Sequence, residues 1–80
     1  MSDTSEIWYY RVSRRELVYL KFILEAYEGM SVMSTVDRHE GVVAITVPLP
    51  FRVDMANLLG ALQTEIDLKP LPGYEPAAEE

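Results

Sequence analysis

Three arginines, Arg11, Arg14 and Arg15, form the one basic cluster of a chain whose formal net charge is −6. They stand where a strand-like run gives way to a helix start. Unpaired backbone N–H groups and a positive dipole end at such a start make a place for an anion. The same dipole end normally prefers acids, so two arginines there carry a small electrostatic cost. Two readings stay open: an anion-binding junction, or a solvated cluster offset by Glu6, Glu16 or a partner's carboxylates. His39, the single histidine, lies between Asp37 and Glu40 in a polar stretch. Three such groups hold a cation only loosely, and one His is too few for a zinc site. We expect an ordinary solvated turn there, with no metal and no cofactor. No cysteine is available as a nucleophile, and Ser13 has a sufficient role as a helix N-cap. Glu25 and Glu28 near Tyr27 read as solvated side chains beside a core residue. No catalytic residue emerges, and the chain does not read as an enzyme.

The element that positions the arginines is VSRRELVYLKFILEAYEG, residues 12–29. Ser13 followed by Glu16 has the spacing of a capping box, and Val12 with Leu17 that of a hydrophobic staple. Gly29 suits a left-handed helix end. The spacing predicts a helix from 14 to about 28, with Leu17, Leu20, Leu24 and Tyr27 as its apolar stripe. Val18, Phe22, Ile23 and Ala26 are expected to widen that stripe. Before the helix, EIWYYRV (6–12) is rich in β-branched and aromatic residues and predicts a strand. After it, MSVMSTV (30–36) and VVAITV (42–47) predict two more, joined by a five-residue turn ending in Gly41, which suits a positive φ angle. Pro48 and Pro50 stop the third strand. A second helix runs from 52 or 54 to 66, its stripe Met55, Leu58, Leu59, Leu62 and Ile66. Gly60 inside it costs on the order of 1 kcal/mol relative to Ala. Residues 67–71 allow a short edge strand.

This order, β-α-β-β-α with a further short strand, predicts an α+β ferredoxin-like sandwich. The crossover rule makes the first two strands parallel. The hairpin inserts the third between them, giving spatial order 1-3-2, with a fourth beside the first and both helices on one face. Val12 leads into the helix, so its face is assigned to the core. Ile7, Tyr9 and Arg11 then point to the open face. With them we place Met33, Thr35, Val42, Ala44 and Thr46. That face is mostly apolar, whereas a solvated face should be mostly polar. A contiguous patch of this kind marks an interaction surface, so we expect a homodimer formed through the open face or its edge.

Eighty residues make one domain, which buries only about 60–65% of its unfolded surface. The expected domain spans 6–71, with a disordered N-terminus (1–5) and an acidic, disordered tail (72–80). Nearly half the residues are apolar, more than a small core hides, which again favours association. The acidic balance opposes a phosphate backbone. Tyr9 on the open face resembles a base-stacking aromatic, but VVAITVP lacks the aromatic and basic residues that such readers carry, so no nucleic-acid partner is expected. With no apolar run of membrane-spanning length and no signal-peptide pattern, we expect a cytoplasmic protein with no membrane partner.

Arg11, Val12, Arg14, Leu20, Lys21, Phe22, Ile23, Glu25, Ala26, Tyr27, Glu28 and Gly29, followed by Asp37 and Gly41, resemble the core pattern of a family of short, uncharacterised bacterial proteins known as a domain of unknown function. The resemblance covers roughly residues 8–71, and PLPFRVDM is its least typical stretch. It implies no established activity. At fold level the chain is also similar to the small ligand-sensing ACT domains. That likeness implies an alternative function as a sensor, with an effector at the junction of Arg11, Arg14 and Arg15.

Overall fold

Val12 closes the first strand with its side chain 1% exposed, and the alternation running back from it sets the two faces of the sheet. The structure, a computed structural model, describes residues 5–26 and 32–75. Strand β1 (Ser5–Val12) leads through a 3-10 turn (Arg14–Glu16) into helix α1 (Leu17–Glu25). Strands β2 (Val32–Asp37) and β3 (Val42–Pro48) form a hairpin. A second 3-10 turn (Leu49–Phe51) opens helix α2 (Arg52–Leu62), and β4 (Leu68–Pro70) completes the sheet. The spatial order is β2-β3-β1-β4, and every neighbouring pair is antiparallel. This is the ferredoxin-like arrangement that the element order predicts, with the short fourth strand beside the first. The proposed end of α1 at Gly29 and the start of β2 at Met30 lie outside the described residues.

One face of the sheet is covered by both helices. Tyr10 and Val12 of β1, Val43, Ile45 and Val47 of β3 and Leu68 of β4 pack with Leu20 and Leu24 of α1 and with Met55, Leu59 and Leu62 of α2. Leu20, Ile45, Met55 and Leu59 are wholly buried; shortening any of them to Ala costs about 2–5 kcal/mol. Burial raises the pKa of the Tyr10 phenol above its ordinary value, so this group opposes the folded state only as pH climbs past that value.

The register corrects the face assigned to β2. Met33 pairs with Ile45 and Thr35 with Val43, and residues directly opposite each other share a face. Met33 and Thr35 therefore lie on the helix side, where Met33 packs against the core. Val32 and Ser34 take the open side. A register shift between Thr35 and Asp37 makes Val36 an extra residue before the turn. MSVMSTV carries apolar residues at both parities, so the strand alone does not choose a face, and a one-residue slip exchanges the two.

The helices differ from expectation in three places. Val18 and Phe22 are 75% and 71% exposed. At 3.6 residues per turn each stands about 160° round the helix from Leu20, on the outer side. The stripe that meets the sheet is narrower: Leu20 and Leu24, flanked by Leu17 and Ile23. Second, no capping box forms. Ser13 makes no side-chain cap, and the Glu16 carboxylate accepts the backbone N–H of Asp67 at 2.8 Å. Third, α2 ends at Leu62, and Gly60 on its outer side has nothing within 4 Å of a Cβ position. It provides no close packing. The chain also stays structured past residue 71. Pro72-Gly73 forms a turn closed by a hydrogen bond from the Tyr74 N–H to the Leu71 carbonyl.

Two glycines thus make opposite forecasts. Gly41 has φ +76°, and a Cβ there would collide with the Val12 carbonyl. Gly41→Ala should lower stability by at least ~2 kcal/mol, from strain at positive φ plus displacement of β1. Gly60→Ala should raise stability by roughly 0.5–1 kcal/mol. Urea denaturation of the two variants beside the parent checks both signs; a Gly41→Ala protein as stable as the parent contradicts the turn described.

Candidate functional site

The open side of the sheet is built in three rows, each read across the strands from the register. The first row is Val32, Thr46 and Ile7. Val32 is 65% and Ile7 54% exposed, and Thr46 between them is half-buried. The second row is Ser34, Ala44 and Tyr9. The third is Asp37, Val42, Arg11 and Lys69. Of the expected open-face residues, Ile7, Tyr9, Ala44 and Thr46 come together. Val42 joins them but is buried, held outside the helix-side cluster and offering little area. The surface thus grades from apolar at one end of the strands to charged at the other.

Tyr9 is not bare. The turn after β4 folds back along β1: the Leu71 N–H donates to the Tyr9 carbonyl at 2.9 Å, and the Tyr74 ring lies 5.0 Å from the Tyr9 ring, tilted by 49°. The tilted pair has the centroid separation at which aromatic rings attract. Beside it lies a cleft of about 340 Å³ between β1 and Pro70–Tyr74. The contact was not anticipated, because the run from 72 was expected to be a tail. The Pro-Gly pair before a tyrosine was the signal: it specifies a turn whose third position needs positive φ, and Gly73 has φ +79°.

The charged row ends in a second cleft, of about 300 Å³, lined by Arg11, Ser13, Arg14, His39, Glu40 and Lys69 together with Val12 and Asp67. Arg11 and Arg14 meet there. Arg15 is exposed and does not line the cleft. His39 and Lys69 arrive from the hairpin turn and from β4, which the sequence order alone does not place at the helix start. Arg11 donates to Glu40 Oε1 at 2.9 Å, both side chains more than half exposed. An exposed pair of this kind is worth about 0–1 kcal/mol. The offset suggested for Glu6 and Glu16 goes elsewhere: Glu6 accepts from the Trp8 indole N–H and pairs with Arg52, and Glu16 is taken by Asp67. The turn itself is held by the Glu40 N–H donating to Asp37 Oδ1 at 3.0 Å. Among the described residues no three His, Asp or Glu side chains converge as a metal site would need, and no helix is long and apolar enough to cross a membrane.

The helix layer carries its own exposed apolar side chains, Val18, Tyr19 and Phe22 of α1 and Val53 of α2, without the cross-strand continuity of the Val32–Thr46–Ile7 row.

No curated protein and no solved structure matches the chain. A family model described as a domain of unknown function (DUF4911) matches residues 10–66. That span runs from the last turn of β1 through both helices and the hairpin, well over half of the molecule, and the chain therefore belongs to the DUF4911 family.

Proposed function

We propose that this domain is a non-catalytic association module that pairs with a second copy of itself through the open side of its sheet. The observation that carries the proposal is the row Val32–Thr46–Ile7, which crosses three strands with its two ends more than half exposed. Both helices lie on the other side of the sheet, so nothing described covers this row. Sheet faces that meet water alternate polar residues outward, and a row with a valine and an isoleucine exposed at either side of Thr46 departs from that rule. A rigid, hydrogen-bonded backbone also presents the row at little ordering cost, which favours association.

The test uses residues whose removal leaves the core alone. Sedimentation equilibrium should find the parent dimeric at micromolar concentration and Val32→Asp monomeric with an unchanged circular dichroism spectrum. Phe22→Asp, on the outer side of α1, should stay dimeric. A Val32→Asp protein that still dimerises, or a Phe22→Asp protein that does not, overturns the choice of face.

A second reading, a sensor for a small anion, rests on the convergence of Arg14, His39 and Lys69 on the Arg11 end of the sheet. Four cationic or titratable bases face two acids there, which concentrates positive potential locally in an acidic molecule. Titration calorimetry with phosphate, nucleotides and amino acids should then give binding that Arg14→Glu abolishes. An absence of heat with all three contradicts this reading and leaves the first untouched.

A further inference from the structure

The rows of the open face complement one another in a way that selects one orientation for the pairing. The half formed by β2 and β3 contributes Val32 and Thr46, then Ser34 and Ala44, then Asp37 and Val42. The half formed by β1 and β4 contributes Ile7, then Tyr9 with the Tyr74 ring against it, then Arg11 and Lys69. Row by row, Val32 and Thr46 face Ile7, small faces large, and an acid faces bases. We propose that two copies pack these faces together about a two-fold axis running along the strands between β1 and β3, so that the β2-β3 half of each protomer meets the β1-β4 half of the other. The inference rests on the self-pairing proposed above and adds its geometry.

A two-fold axis makes the contact isologous, so each patch meets its complement twice. This one keeps the strands of the two sheets nearly aligned, the ordinary geometry for stacked sheets. Ile7 then lies against Thr46 and Val32 of the partner subunit. The bulky Tyr9–Tyr74 pair lies against the partner's Ala44 and the partner's Ser34, where side chains are short. Asp37, partly buried at the end of β2, lies against the partner's Lys69. The Arg11 stem covers the partner's Val42, as long basic side chains do while keeping their heads wet. A two-fold axis across the strands instead lays the Ile7 row on the partner's Arg11 row, burying charge against apolar side chains at a cost. It also brings no acid to Lys69.

The chain has no cysteine, so introduced ones report cleanly. Within one chain residues 37 and 69 sit on opposite edges of a four-stranded sheet, about 14 Å apart at the usual strand spacing. In the proposed pair they are neighbours between protomers. Asp37→Cys/Lys69→Cys treated with a short bis-maleimide should give a covalent dimer, while each single-cysteine variant stays uncoupled. Lys69→Glu, which leaves the Asp37 turn intact, should weaken dimerisation at least about tenfold at low salt, with the loss shrinking as salt is added. A parent that is dimeric, with single variants coupling as fast as the double one or with Lys69→Glu unchanged, overturns this orientation and spares the face. A parent that stays monomeric at high micromolar concentration overturns both.

Discussion

The backbone at the end of β1 is the constraint on which the rest of the molecule depends. Two successive amides there reach two loops far apart in sequence. Val12 N–H donates to the Gly41 carbonyl at 2.8 Å, and Ser13 N–H donates to the Asp67 carbonyl at 3.2 Å. Asp67 N–H returns to the Glu16 carboxylate. The first bond seats the hairpin turn against the central strand and so sets the register of β3. The second and third seat the approach to β4 and close the start of α1. Because Val12 is held inward by the core, Arg11 must point outward, and Tyr9 and Ile7 with it. A single residue's orientation thus propagates through the pleat to the whole open face. Only glycine at position 41 permits the approach.

Much of this was legible in the sequence, for identifiable reasons. The alternation of EIWYYRV, the long apolar stripe after it and the proline-stopped VVAITV run specify elements whose order leaves few topologies open. Gly41 was recognisable because a five-residue hairpin loop needs a positive φ. What was hidden depends on contacts between distant segments. The Ser13/Glu16 spacing is that of a capping box, but Glu16 has a stronger claimant in the Asp67 amide, 51 residues away. Val18 and Phe22 read as core by residue type; the sheet is met by too narrow an arc of α1 for both to reach it. Met33 was placed on the open face because MSVMSTV has apolar residues at both parities, and only its pairing with Ile45 decides between them. The candidate cleft was half visible. Arg11 and Arg14 are near in sequence, whereas His39 and Lys69 join them only through the hairpin and the β1-β4 pairing.

The site and the fold are therefore one construction. The hairpin turn that Gly41 docks on Val12 also carries His39 and Glu40 to the charged end of the sheet. The Asp67 contact that holds β4 brings Lys69 level with Arg11, and continues into the Pro72-Gly73 turn that brings the Tyr74 ring against Tyr9. In this way the edges of the sheet supply the features of its open face: small and acidic on the β2 side, bulky and basic on the β4 side. Membership in the DUF4911 family, matched over residues 10–66, assigns no activity, and the physical character of the open face becomes the guide to what the domain does.

The central claim is that this face, rather than the outer surface of the helices, is where the domain associates. Methyl-resolved NMR on a dilution series reads both surfaces in one sample. Ile7, Val32 and Ala44 should shift with concentration along a single binding curve while Val18 and Val53 stay fixed. Concentration-dependent shifts confined to Val18 and Val53, or none at any methyl across the micromolar range, would contradict it.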